Sequence, residues 1–521
     1  MEQENENKNI NTIFGNEMTP QMITQVIVSK NKNSPAIMEM ISADKYFDGH
    51  NEKIEGKTRV YYDKDRNPHE NPNANNARIK GNFLRMLVQQ KQDYGFAKTF
   101  IMKLSTEEQE EIDITTDEYG KTWKKFLDDS LFKLSYIIAG QAVNHGIAWN
   151  YIWIDENGEL QIKDVPSNLI YPVWKDRQHT KLDKLVYNYI VEKYKGSLNP
   201  TNEEYAEYWS DDDRILFDVT NGYDEVPIIT DEGGIPIHSH MIKKNNEENI
   251  EGVSWGRIPF ICLKATDDEK TLLSFIKEQI DSYDVLSSKS VDGLVDDLDP
   301  ILVLKGISPD VRDLLEAREL AKMTRTVSLD SDGDANYIQA QTAIEAQLKE
   351  LEALRHDIIK FGYGVDYEDA RFGGNPNQLV IKSLYQNMDT YTDGLERHFQ
   401  DFINDLKFFF DKWYDLTGKG SFEDSQKYKI LIKLDRSMMI NQSALIDDTV
   451  KLAGTGVSKK TQLEFNPVVQ DVDLELERIK EEQKESQENE LFDFAQRTEI
   501  ENGGEYEKPE PEKKIEVKNE K

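Results

Sequence analysis

The stretch FGYGVDYEDARFGGNPNQ, from Phe361 to Gln378, gathers a Gly-x-Gly, the carboxylates Asp366, Glu368 and Asp369, Arg371, and the pair Gly373-Gly374. A glycine pair beside an arginine can cradle a phosphate, because bare N–H groups and a cation converge on the anion. Such cradles follow a strand and open a helix. This stretch follows a helical pattern, and its carboxylates would repel a bound phosphate. Its glycines read instead as a helix stop (Gly362, Gly364) and a flexible elbow (Gly373, Gly374).

Other clusters fail as catalytic or metal sites on spacing. DSDGDANYIQAQ (330–341) sets Asp330, Asp332, Asp334 and Asn336 at alternate positions, as a calcium loop does. Glycine stands fourth (Gly333) where the sixth place needs it, and Gln341 stands where a bidentate Glu belongs, so a hairpin turn is expected. SDDD (210–213) could hold Mg²⁺ but sits on a polar ribbon tip and reads as a solvated turn. His238 and His240 could chelate weakly; exposed imidazoles on a loop are expected. Cys262, in IPFICLK, reads as a buried strand thiol, and one cysteine permits no disulfide within the chain. The sequence contains no G-x-x-x-x-G-K-[ST], G-x-S-x-G, G-x-G-x-x-G or H-E-x-x-H. No catalytic residue, metal or cofactor is expected.

Composition narrows the class. The 521 residues carry a formal net charge of −34, which opposes tight capture of nucleic acid by clustered Lys and Arg. The same charge lets a polyanion pass without sticking. Hydrophobic content of 38% with 31% charged residues leaves much of the chain as surface, helix face or subunit contact. The polar, acidic opening MEQENENKNI reads as no signal peptide, and no apolar run approaches the roughly 20 residues that span a bilayer.

The elements that must position these residues follow from periodicity. A helical pattern runs from Thr19 to Asp48, broken near Pro35; an Asn/Pro-rich loop follows at 67–82, then helices at 83–92 and 121–146. At 147–165 the period drops to 2 around Asn157-Gly158, a hairpin signal. Strand patterns continue at 184–194, 203–219 and 257–265. From Asp267 to Leu298 one helix face carries Leu272, Ile276, Ile280, Tyr283 and Ser287. A small unit follows: strand 301–306, helix 310–323 and hairpin 325–339. After the next helix and the Phe361–Gln378 loop, apolar residues in steps of four and three predict a helix from Asn377 to Leu416, on the order of 60 Å long. A strand at 427–435 and helices near 442–453 and 458–480 precede an acidic tail expected to be disordered.

This order resembles the portal proteins of tailed bacteriophages, particularly the siphophage branch. YFDGHNEKI (46–54) is similar to the family's YYxGxHxI, with Phe47 for the second tyrosine. NARIKGNFLRMLVQQKQDYGF (76–96), AGQAVNHGIAWNYIWIDENGEL (139–160) and WGRIPFICLK (255–264) resemble family segments in the same order. IDSYDVLSSKSVDGLVDDLDPILVLKG (280–306) looks like LIDAYD…S…D…LVLKG, and GTGVSKKTQLEFNPVVQDVDLELERI (454–479) like VSxxTxLE…P…D…E…E. One departure is NPNQLVI, where family members often read Ser-Gly-x-Ala.

The resemblance implies a mixed α+β, mainly α fold of wing, stem, clip and crown. It assigns 1–17 to a flexible N-terminus, 18–266 to a β-rich wing, 267–298 and 341–362 to stem helices, and 299–340 to the clip. It assigns 363–377 to a tunnel loop, 378–436 to the wing's spine helix and strand, 437–480 to the crown and 481–521 to a disordered acidic tail. It implies a ring, usually of twelve copies, at the unique capsid vertex, through which double-stranded DNA is packaged and ejected. Implied partners are the terminase large subunit, a head-completion or adaptor protein, and the major capsid and scaffolding proteins; no membrane is implied. The implied location is the virion, with host cytoplasm during assembly. Asp366, Glu368, Asp369, Arg371, Gly373, Gly374, Asn375, Asn377 and Gln378 would form the channel loop. Of these, Arg371, Asn375, Asn377 and Gln378 either touch DNA or cap helices and meet the neighbouring subunit. Asp310, Arg312, Asp313, Glu316, Arg318, Glu319 and Lys322 would form the terminase-docking rim or a subunit seam. Two other classes compete: a metal-dependent DNA-processing enzyme working through the Asp-rich loops, and a helical scaffold protein.

Overall fold

A computed structural model describes residues between 14 and 484; 306–333, 339–343, 373–377 and 437–449 are the longer stretches outside the described residues. The chain divides into two compact units, Met1–Glu368 with Leu384–Met438, and Asp369–Ser383 with Met439–Lys521.

In the first unit, Thr19 and Ser34 cap α1 (Pro20–Asn31) and α2 (Pro35–Phe47), accepting from the N–H groups of Met22 and Ile37, and a proline opens each helix. The expected break at Pro35 is therefore a capped helix start. Next come α3 (Glu52–Glu55), the ribbon β1 (Val60–Tyr62) and β2 (Pro68–Glu70), and α4 (Phe83–Phe96). β3 (Ile101–Thr106) and β4 (Glu111–Ile112) are additions to the expected elements. The helix expected at 121–146 is α5 (Glu118–Phe126), a π-helical turn Leu127–Leu131, and α6 (Phe132–His145), ended by Gly146 at φ 83°.

The expected hairpin is β5 (Ile147–Ile154) and β6 (Leu160–Val165), with Gly158 at φ 80° in the turn. A five-stranded antiparallel meander follows: β7 (Ile170–Trp174), β8 (Leu182–Lys193), β9 (Thr201–Trp209), β10 (Arg214–Asp218) and β11 (Asp224–Glu225). β12 (Met241–Asn246) and β13 (Asn249–Val253) form a separate ribbon, and β14 (Phe260–Lys264) pairs with β5.

α7 (Leu272–Leu298) starts later than the expected Asp267, because Glu269 adopts φ 54° in a turn closed onto Thr266. β15 (Ile301–Lys305) pairs antiparallel with β16 (Asp334–Ile338), Ile301 opposite Ile338. The helix expected at 310–323 and the first arm of the hairpin expected at 325–339 lie outside the described residues. α8 (Ile344–Phe361) then packs on α7. α9 (Gln378–Leu416) has 39 residues, about 58 Å at the helical rise, close to the length expected. α10 (Phe422–Ser425) leads into β17 (Tyr428–Lys433), which pairs with β3. In the second unit, α11 (Lys459–Glu464) falls within the helix expected at 458–480.

One apolar core joins α4, α6, α7, α9, β3 and β17; Trp123 stacks on Phe410 with centroids 4.2 Å apart. A second lies between α1, α2 and the five-stranded sheet, around Trp149, Leu185, Val186 and Trp209. Along α9, Tyr385, Met388, Leu395, Phe399, Phe402, Leu406, Phe409 and Trp413 are buried in turn. Burial of such side chains is worth about 1.5–3 kcal/mol each, which is what sustains so long a helix. Trp413 also donates its Nε1–H to the Gly158 carbonyl at 2.7 Å, fastening the β5–β6 turn to α9. Among the described residues, no helix is long and apolar enough to cross a membrane.

Candidate functional site

The root of the Phe361–Gln378 loop is built by the end of α8. Gly362 N–H bonds Ile358 O at 2.9 Å, and Gly364 N–H reaches back to Ile359 O at 2.8 Å, closing a C-cap. The residue in left-handed backbone is Tyr363, at φ 53°, not a glycine. The helix thus stops where the glycines were expected to stop it, but the left-handed turn falls on Tyr363 between them. Gly362 and Gly364 are needed for close approach: a Cβ on them would lie 2.6 and 2.4 Å from the Leu87 methyls.

Leu87 belongs to α4, and α4 grips the loop root further. Gln90 pairs with both backbone groups of Val365, accepting from its N–H and donating to its carbonyl, each at 3.0 Å. Lys91, fully buried, donates its Nζ to Gly362 O and, at 3.3 Å, to Leu87 O. Burial pushes the Lys91 ammonium down to about 7. Its signal was present in the sequence: Leu84, Leu87, Val88 and Lys91 recur at helical spacing, so a lysine occupies an apolar stripe.

Arg355 of α8 holds the next segment. Its guanidinium meets both Asp366 oxygens, at 3.3 and 3.0 Å, and Glu368 at 2.9 Å. Two of the expected channel carboxylates are therefore spent on one arginine. In the second unit, Asp369 and Arg371 form their own fork, with Nε at 3.0 Å and Nη2 at 2.7 Å, beside a 3₁₀ turn over Ala370–Phe372. Gln378 opens α9; Gly373, Gly374, Asn375 and Asn377 lie outside the described residues. So do Asp310, Arg312, Asp313, Glu316, Arg318, Glu319 and Lys322.

A second constellation lies on α7. Asp281, Asp284, Ser288 and Asp292 recur at helical spacing and are all buried. They receive the extended strap that precedes α4. Gly81 N–H bonds Asp284 at 2.7 Å, Ile79 N–H bonds Ser288 at 3.0 Å, and Ala77 N–H bonds Asp292 at 2.7 Å. Asp292 also takes Lys57 at 2.5 Å and Asn75 at 3.0 Å; Asp284 takes Asn51 at 2.9 Å. Asp281 takes the Tyr46 hydroxyl and, at 2.9 Å, Lys53. Burial raises Asp284. Burial also lifts Asp281, but bonds from Tyr46 and Lys53 outweigh it and hold the carboxyl below its ordinary range. The segments YFDGHNEKI, NARIKGN and IDSYDVLSSKSVDGL thus meet at one seam.

Against this geometry stands a family model described as phage portal protein, SPP1 Gp6-like, matching residues 30–489. The chain belongs to the phage portal protein family. It is also similar to the portal protein of Bacillus phage SPP1, with 25% identity over 432 residues, covering 82% of this chain and 80% of that protein. The function is that of a portal for DNA packaging, and the family is structural rather than catalytic.

Elsewhere in the portal chain, the remaining sequence candidates have partners of their own. SDDD forms the β9–β10 turn, with Asp213 N–H on Ser210 Oγ at 3.0 Å and Asp211 paired to Lys175 at 2.8 Å. His238 pairs with Glu225 at 2.8 Å. His240, expected to be exposed, is buried: its Nε2 meets Ser210 O at 3.1 Å and its Nδ1 meets Trp255 N at 3.4 Å. It packs beside Trp209, and burial lowers its pKa. Cys262 is partly buried on β14, and burial pushes its thiol up. Asp334–Ile338 of the calcium-like stretch is strand β16.

Proposed function

We propose that copies of this chain, about twelve as in the family pattern, assemble as a ring at one capsid vertex, not as an enzyme, and enclose the channel for double-stranded DNA. In this reading α7 and α8 form the stem, and residues 299–340 the clip that docks the terminase large subunit and later a head-completion protein. Residues 363–377 are the tunnel loop, α9 is the spine of the wing, and 437–480 form the crown. The ring would assemble in the host cytoplasm with capsid and scaffolding proteins and end in the virion.

One observation carries the loop's part in this reading: its root is held by Lys91, Gln90 and Arg355 at the point where it leaves α8. A loop so rooted beside the stem can touch passing DNA without recruiting the unpaired cations that would hold it. With its carboxylates matched by arginines, the loop has shallow electrostatic wells for a sliding polyanion.

Electron microscopy of the purified chain tests the assembly. Rings with a central hole of DNA width support it. A persistent monomer that cleaves DNA with Mg²⁺ would favour the enzyme, and open filaments the scaffold. Deleting Glu368–Asn375 should leave rings intact and impair packaging or DNA retention; a deletion without effect on either removes the loop from the mechanism.

A further inference from the structure

The β5–β6 turn sets a reactive pair at the surface. Asn157 is exposed, and asparagine is among the thermolabile residue types. Gly158 follows it at φ 80°, and a Cβ there would meet nothing within 4 Å. No side chain therefore shields the Gly158 nitrogen from the Asn157 amide beside it.

The turn restrains that nitrogen. Gly158 N–H bonds Asp155 O at 3.0 Å, so the nucleophile is occupied while the turn is closed. The Asp155 side chain keeps it closed. Its Oδ1 accepts from Asn157 N–H and Glu159 N–H, each at 2.9 Å, and its Oδ2 accepts from Gln161 Nε2 at 3.1 Å. Glu156, Asn157 and Glu159 are all exposed, so opening the turn releases only local bonds. On its other side the same glycine is tied to the core: its carbonyl accepts the Nε1–H of Trp413, which is buried near the end of α9.

We propose that Asn157 is a site of spontaneous deamidation, that Asp155 guards it, and that the iso-aspartate product unties the β5–β6 turn from Trp413. When the turn opens, hydroxide takes the proton of the Gly158 nitrogen, which attacks Asn157 Cγ. The Cγ–Nδ2 bond breaks, and ammonia leaves with a proton from water, regenerating hydroxide and closing a succinimide ring. Water then opens either ring carbonyl, giving aspartate or iso-aspartate. One water enters, one ammonia departs, and nothing is oxidised or reduced. Iso-aspartate lengthens the main chain by one carbon, about 1.5 Å, just before the Gly158 carbonyl, which draws that oxygen off the indole.

The full native chain, incubated at mildly alkaline pH in heavy-oxygen water and mapped by mass spectrometry, tests the site. Asn157 should convert, about tenfold or more slowly than in the same chain unfolded in guanidinium chloride. Asp155→Ala should recover most of that difference, and Asp155→Asn, which keeps one acceptor oxygen, part of it. Asn221 and Asn502 also precede glycine. If either has reacted fully while Asn157 is unchanged, the site is overturned. Equal rates in the folded and unfolded chain, or in both Asp155 variants and the native chain, overturn the guard. Hydrogen exchange reads the consequence. Once aged to iso-aspartate, the chain should exchange at 154–160 about tenfold faster. Trp413→Phe, which keeps a ring but not the donor, should quicken the unaged chain likewise and add little to the aged one. Additive effects overturn the untying.

Discussion

Lys91 donates its side-chain Nζ to the carbonyl of Gly362, joining the middle of α4 to the end of α8 from a position with no exposed surface. The lone ammonium satisfies a helix-end carbonyl in the role of a C-cap. Its cost is desolvation, since the groups it bonds directly, Gly362 O and Leu87 O, are neutral.

That cost makes stability depend on pH in a definite sense. Unfolded, Lys91 titrates near ~10.4; folded, it titrates at about 7. Between these values the unfolded chain holds the proton and the folded chain releases it, so stability rises with pH, and the penalty is complete below the folded value. Urea unfolding of the native chain and Lys91→Met should therefore differ most near pH 7, with the gap shrinking by on the order of a few kcal/mol towards pH 10. A gap independent of pH would show that Lys91 stays charged throughout.

Arg355→Ala should free the loop root without unfolding the chain. Asp366 and Glu368 lose their shared cation, and two carboxylates two residues apart are left to repel. Hydrogen exchange at 365–368 is expected to quicken by about tenfold or more, the loss of about 1.4 kcal/mol of local protection. Exchange in α4 should stay unchanged.

Gly364→Ala tests the close approach of α4. The new methyl would meet Leu87 Cδ2 at 2.4 Å, an overlap expected to cost about 1–3 kcal/mol. Leu87→Ala is itself destabilising, but in combination the two should cost less than their sum. A double-mutant cycle by chemical denaturation reads that coupling directly; additive costs would mean that the backbone, not Leu87, resists the methyl.

Asp292→Ala should be among the more damaging single changes on α7. It strands the largely buried Lys57 ammonium and removes the acceptor of Ala77 N–H and Asn75. About 3–5 kcal/mol is expected from the broken pair. Limited proteolysis should then cut first within 57–81, where the strap has been released.

Local signals accounted for the elements that sequence reading located. Asn157-Gly158 supplied the turn chemistry of β5–β6, Pro35 opened a capped helix, and the four-and-three spacing drew α9 almost to its ends. The seam on α7 was hidden, because its donors are backbone N–H groups that any residue supplies. Only the helix half was visible, as polar residues recurring on one face of an otherwise apolar pattern. β3 is short and half exposed, too weak a pattern to compete, and its partner β17 lies far along the chain. The left-handed Tyr363 and the burial of His240 are imposed by tertiary contacts, Leu87 and Gln90 on one side and Trp209 and Trp255 on the other. Arg355 and Asp366 are near in sequence, but which carboxylate it would take was set by the turn at Tyr363.

The seam on α7 also works as a ruler. Alternate residues of the strap, Ala77, Ile79 and Gly81, meet Asp292, Ser288 and Asp284 in turn. Two residues of extended chain advance about 6.6 Å, and four residues of helix advance about 6 Å. The two scales nearly coincide for three rungs. A slip of one strap residue turns every N–H away, and a slip of two leaves a rung unpaired and moves Lys57 off Asp292. The strap therefore has one indexed setting, and the β1–β2 ribbon leaves it at a height along α7 that the subunit has graduated in advance.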